Sequence, residues 1–450
     1  MRLPRVLVLA CLTWCVASAA EAQYGLYGAP EILQVSQQTP PAPMPVEPLP
    51  DPAQSTPWPG NNNIPQVQRE AVPTPAPQNY DYVNGCYGGC ATGCMNGGGY
   101  ANGAAAGCAV PDGCNTNLNF GQCGCGWYGS LTALIMGRSD GKGLWTSYKD
   151  GEETNQLTNT QFNMRWECGG EIQLGRCFCC CGTPYAIEAS FWTGEDFYGT
   201  VDTTVPGGHV SSPLDFNSLN FPGAVSIAPS NYAGYWFDGA QEHCLVRRDE
   251  YDDFEINLIR QPLAWACDSQ WDIGWSAGVR YFRFQDFLQF SSLSWMATDW
   301  NDVANVGYIS DRVTNNLIGF QCGFDLAYRM CRNVRLFVDP QVGVYDNYMD
   351  ATFACYTGAG VNGAGPYGNF PVHSTCNGLA FLTQVDMGVD WQFARNWSAR
   401  AGYRVVAVTG VGLADDQFPQ YICDTLAMRD VQHYSSIVLQ GAFVGITCNF

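Results

Sequence analysis

Four histidines, His209, His243, His373 and His433, are the natural candidates for proton transfer in this chain. His209 stands two residues before Ser211, which could give a hydrolase its base and nucleophile. All four, however, fall in stretches read as long loops or at the outer end of a strand. No Gly-x-Ser-x-Gly or phosphate-binding loop stands in a convincing context. The favoured reading is four solvated loop residues, with no catalytic residue and no cofactor.

Cysteine is the second chemistry-bearing residue. Two of the 22 cysteines fall in the leader described below, leaving 20. The run Cys86-x3-Cys90-x3-Cys94 has a spacing that could suggest zinc. Its segment lacks histidine and holds seven thiols in an exported chain, so disulfides are favoured and no metal is expected. Cys177, Cys179, Cys180 and Cys181 crowd one short turn, and Cys267 and Cys331 lie in or beside two others. Crosslinks from the N-terminal segment to these turns, or to cell-wall or other Cys-rich envelope proteins, are the expectation. Cys355 and Cys376 are the only thiols in a loop read over 349–378 and are expected to pair. Closing a loop of about 20 residues would contribute around 3 kcal/mol in the chain-entropy picture.

The third group is a set of charges on otherwise regular alternating segments. Asp386 and Asp390 sit on one face of a segment over 379–393, and Arg400 and Arg404 on one face of the next, over 397–412. A three-residue turn, Ala394-Arg395-Asn396, would set Asp390 opposite Arg400 and Asp386 opposite Arg404. Both pairs are expected within about 4 Å and inside a lumen, where they help to plug it.

What must position these residues is legible from composition and period. Arg2 and Arg5 precede an apolar run over 6–17, too short for a membrane helix, and Ala20-Glu21-Ala22 offers a cleavage site. Residues 1–22 thus read as a signal peptide. Prolines recur from residue 40 to residue 77, so 23–79 reads as a disordered, extended spacer. Residues 80–125 are rich in Gly and Cys. From 126 to 450 ten alternating segments follow, over 127–137, 163–176, 185–196, 251–261, 270–284, 314–330, 333–348, 379–393, 397–412 and 435–450.

Short and long connections alternate between the segments, which predicts an all-β, transmembrane antiparallel barrel of about ten strands. An even count puts both termini in the periplasm. The period-2 run Val444, Ile446 and Cys448, ending on Phe450, resembles the closing-strand signal read by barrel-assembly machinery. Pro340 interrupts one segment and is read as a bulge. A net charge of −20 argues against nucleic acid or an anionic lipid surface as partner. With 14% charged and 13% aromatic residues, the wall suits outer-membrane lipid better than water. Period alone leaves open which face turns inward.

Four stretches carry a family likeness: Gly278-Val279-Arg280-Tyr281-Phe282, Asn316-Leu317-Ile318-Gly319-Phe320-Gln321-Cys322-Gly323, Ala401-Gly402-Tyr403-Arg404, and Gly410-Val411-Gly412-Leu413-Ala414-Asp415-Asp416-Gln417. They resemble the planctomycete outer-membrane β-barrel family known as beta-barrel porin seven, over about 126–450. The resemblance implies a monomeric outer-membrane barrel and no catalytic residue. The cysteines in the turns depart from it. A barrel of ten strands lies nearer the side-chain-filled than the open-pore end of the size range. The expected role is therefore structural, a plugged envelope protein with its N-terminal extension in the periplasm. A small-solute channel is the alternative and a barrel hydrolase the third reading.

Overall fold

The computed structural model describes residues 126–450, apart from 140, 155, 161–163, 181–182, 225–229, 265–269 and 395. The expected leader, spacer and Gly/Cys-rich segment lie outside the described residues. Ten strands form the wall: β1 (Trp127–Arg138), β2 (Glu167–Cys180), β3 (Thr183–Gly194), β4 (Glu242–Ala264), β5 (Trp271–Leu293), β6 (Val306–Cys331), β7 (Val334–Thr357), β8 (Val372–Gln392), β9 (Trp397–Val411) and β10 (Ser435–Asn449). Each pairs antiparallel with the next, and β10 pairs with β1 to close the ring. The seal runs to the last residue. Trp127 N–H donates to the Phe450 carbonyl at 3.0 Å and receives its bond back at 2.9 Å.

The ring settles which face is which. Along β5, Ile273, Val279 and Tyr281 are exposed on the outside, while Asp272 and Arg280 are buried inside. Exposed apolar side chains girdle the same level: Leu131, Ile172, Ile187, Ile256, Ile318, Phe320, Val342, Phe381 and Val444. Trp127, Trp271, Trp391 and Trp397, with Phe393 and Phe450, ring the short-turn edge, as a membrane interface favours. The band takes about ten residues per strand, which at ~3.3 Å per residue and ~40° tilt gives a height near 25 Å. This is a transmembrane β-barrel.

The strands are longer than the band needs. β6 has 26 residues, and β4, β5 and β7 reach 23 or 24. Phe197–Thr204 prolongs the wall beyond β3 by pairing with the outer part of β4. Above the band the polarity inverts. On β5 the buried inward residues become Phe282, Phe284, Leu288 and Phe290, whereas Arg283 and Gln289 point outward. Polar residues outside and apolar ones inside mark a wall standing in water. The long-loop end folds onto this half: Phe216, Leu219, Phe221, Trp236 and Phe237 pack against wall residues Phe290, Ile309 and Phe353. Phe237 stacks on Phe216 at 4.6 Å and on Phe290 at 5.7 Å between centroids.

Two expectations are corrected. Pro340 makes no bulge: it keeps register with Val385 on β8. On the β6 side the pairing runs in register from Gly323↔Gln341 to Leu326↔Val338, the ladder omitting the pairs between them. A missing N–H interrupts hydrogen bonding without adding a residue. The loop read over 349–378 is also mostly wall, since β7 runs to Thr357 and β8 starts at Val372.

Candidate functional site: the filled lumen

The closed ring aims every second side chain at its axis, so the lumen is built in layers. Nearest the short turns, Arg329 holds Asp272 at 2.5 and 2.7 Å. Tyr128 donates to Glu188 at 2.7 Å. The hairpin of β8 and β9 has Asp386 opposite Arg404 and Asp390 opposite Arg400. Arg404 reaches Asp386 at 2.8 Å and Glu171, across the ring on β2, also at 2.8 Å. Arg400 Nε lies 3.6 Å from Asp390, and its Nη2 binds Asp339. Arg335, from β7, takes the other oxygen of Asp390 at 2.7 Å. The cross-strand pairs are therefore parts of a network in which β7 also takes part. Arg400 stacks on Phe337, 3.7 Å from its centroid.

One step deeper, Arg280 is held by Asp253 at 2.6 Å and Glu255 at 3.4 Å, and donates to Gln384 at 3.0 Å. Above it lies an apolar stratum of Trp192, Tyr251, Phe282, Phe284, Leu317, Tyr345 and Leu382, all buried. Next comes a second charged layer. Arg138 binds Asp249 at 2.5 Å, and Arg247 binds Asp286 at 2.5 Å and Asp415 at 3.1 Å. Asp415 sits on the one-turn helix Ala414–Gln417, which descends from the loop after β9. The backbone there is fastened to the wall. Asn315 exchanges two hydrogen bonds with Gly412, both 2.8 Å, and Asn347 donates to the Gly410 carbonyl at 3.0 Å. Gly410, at φ 79° beside a bulge, permits the inward bend. This outer charged layer was not anticipated. Its wall residues lie where the strands had been expected to have ended or not yet begun.

The other singled-out residues are placed as follows. Val444 and Ile446 face the lipid, Cys448 is partly exposed beside them, and Phe450 is 69% exposed at the rim. Cys355 and Cys376 are free thiols, the first buried. Cys376 lies opposite Met349, six residues along β7 from Cys355, a separation of about 20 Å at the rise of a strand. No disulfide spans that. Their expected pairing is corrected: they belong to two strand ends, where a single loop had been read.

Ser211 donates to Asp150 at 3.1 Å and accepts from Gly239 N–H at 2.9 Å, so its hydroxyl is committed to loop structure. The serine–histidine pair that does form is another one. Ser147 donates to His243 Nδ1 at 2.8 Å, and His243 Nε2–H donates to the Phe237 carbonyl at 3.0 Å. His243 is buried, hence structural, and burial pushes it down to about 4 from its ordinary 6.5. The unfolded chain binds the proton more readily, so this stabilisation is whole above pH 6.5 and is lost as pH falls towards 4. Denaturant unfolding of the barrel should lose about 3 kcal/mol across that window. His243→Gln should flatten the slope; an unchanged slope would assign it to other groups.

No family model and no curated protein matches the sequence. Among solved structures, the chain is similar to the outer membrane protease OmpT of Escherichia coli, at 9% identity and TM-score 0.36, over 72% of this chain and 97% of that one. A major outer membrane protein of Thermus thermophilus aligns at 11% identity and TM-score 0.26, over 72% of this chain and 98% of that one. The toluene transporter TbuX of Ralstonia pickettii aligns at 12% and 0.26, over 74% and 90%.

Proposed function

We propose that this protein is a closed, structural outer-membrane barrel, plugged by its own lumen and tethered on its short-turn side to the cell wall or to other Cys-rich envelope proteins. The observation carrying the reading is the stack of two ion-paired layers with an apolar stratum between them. Such a stack leaves no continuous aqueous path, because ions would have to cross Trp192, Phe282 and Phe284. The short-turn end is the periplasmic one on this reading, and it carries the exposed thiol of Cys331 and the partly exposed Cys448. The C-terminal strand, with Val444, Ile446, Cys448 and Phe450, is the part that barrel-assembly machinery reads. Membership of the beta-barrel porin seven family rests on the four stretches quoted above.

A cavity of about 260 Å³ in the short-turn half favours the alternative, a narrow channel for small solutes. Planar-bilayer recording separates the two readings. The purified barrel should stay silent with and without reductant. Steady ohmic openings would replace the structural reading with the channel.

A further inference from the structure

The cavity of about 260 Å³ lies under the apolar stratum, roofed by Trp192, and reaches the short-turn rim at Ser398, Thr447 and Asn449. Pockets for drug-sized ligands start at roughly 300 Å³, so this one suits a somewhat smaller molecule.

The charge on its walls does not balance. Seven carboxylates and three guanidiniums line it. Arg404 holds Asp386 and Glu171, and Arg400 and Arg335 hold Asp339 and Asp390. Arg280, from beyond the lining, holds Glu255. That leaves Glu188, on β3, and Asp325, on β6, without an ion pair among the described residues; Glu188 has the Tyr128 hydroxyl. Uncompensated carboxylates inside a wall ringed by lipid call for a positive partner. A metal ion is a poor one, because among the described residues no group of three or more His, Cys, Asp or Glu is close enough to ligate it. The two carboxylates also stand three strands apart, which favours a molecule with extent over a point charge.

A second observation concerns neutral groups. Trp192 is 1% exposed and its indole N–H has no acceptor, while the Gln341 amide oxygen is buried without a donor. Both residues line the cavity. Buried polar groups are nearly always hydrogen-bonded, so an orphaned donor and an orphaned acceptor in one cavity mark an occupant that supplies both. A hydroxyl does, being donor and acceptor at once. Ser190, Ser276, Asn257 and Gln384 offer further hydroxyl partners on the lining.

We propose that this cavity binds a small polyhydroxylated amine of the amino-sugar class, its ammonium group compensating Glu188 and Asp325 and its hydroxyls pairing with Trp192 and Gln341. That the amine is held and not passed through rests on the reading of a lumen sealed above.

Calorimetric titration of the full chain, folded in detergent near neutral pH, tests it with glucosamine as probe. Saturable binding is expected. N-acetylglucosamine keeps the hydroxyls and loses the charge, and should bind at least about tenfold more weakly, as for a lost charged hydrogen bond. Ethylamine keeps the charge and loses the hydroxyls, and should also bind more weakly. Glu188→Gln combined with Asp325→Asn should weaken glucosamine by about tenfold or more. Those substitutions remove charges that lack ion pairs, so the variant should fold; if it does not, the ranking of the three probes on the parent decides alone. No saturable heat from glucosamine, equal affinity for its acetylated form, or unchanged affinity in the folded variant would overturn the proposal. Bilayer recording is a separate readout: a barrel that conducts and still ranks the probes in this order refutes the sealed lumen and leaves the site standing.

Discussion

Arg404→Met should lower the unfolding free energy of the barrel by about 3–5 kcal/mol, the cost of leaving buried charge without its partner. Arg404 is 5% exposed and, among the described residues, is the one cation touching both Asp386 and Glu171. Without it, Asp386 keeps a single side-chain donor, Gln384 at 3.2 Å. Methionine nearly preserves the volume, so the loss reports electrostatics more than packing. Urea unfolding in lipid vesicles reads it directly. Adding Asp386→Leu and Glu171→Gln to the same chain should recover most of the loss, since no bare carboxylate then remains. A loss below about 1 kcal/mol would mean that water screens this layer as it screens a surface pair.

Phe284→Ala should cost a similar amount, about 3–5 kcal/mol, for a different reason. Phe284 is fully buried in the stratum between the two charged layers, and Arg138 lies over its ring at 5.6 Å. Truncation removes the transfer energy of a ring and leaves a void that rigid strands cannot collapse around. Phe284→Leu should recover more than half of the loss. If alanine and wild type unfold together, the stratum is loosely packed and the lumen is less tightly filled than its contacts imply.

The ten strands were legible because the lower half follows one rule, apolar outward at every second residue. Their outer ends were not, and β5 shows why. Ile273, Val279 and Tyr281 face out, but from Phe282 the apolar residues occupy the opposite parity. A reader following one greasy face sees the alternation fall out of phase and ends the strand there. The same truncation hid Arg247, Asp249 and Asp286, and put Cys355 and Cys376 into a loop that is mostly wall. Unbroken period 2, followed through the change of parity, was the signal available. The β8–β9 register was legible because opposite charges alternate in step on the two strands, and the ladder sets Asp386 opposite Arg404 and Asp390 opposite Arg400. Arg335 and Asp339 joined those pairs from β7, a strand that hairpin arithmetic does not reach.

The continuity of the long strands has a mechanical consequence. β4 to β8 run unbroken from the short turns, through the lipid, into the water-facing half. A pull on the outer loops therefore loads these strands lengthwise, and their ladders bear it in shear, with many hydrogen bonds sharing the force at once. Among the described residues, each of these strands is continuous from the part gripped by the bilayer to the part that meets the surroundings. Tension arriving at the surface passes straight down the wall to the short turns, as it would along the staves of a cask.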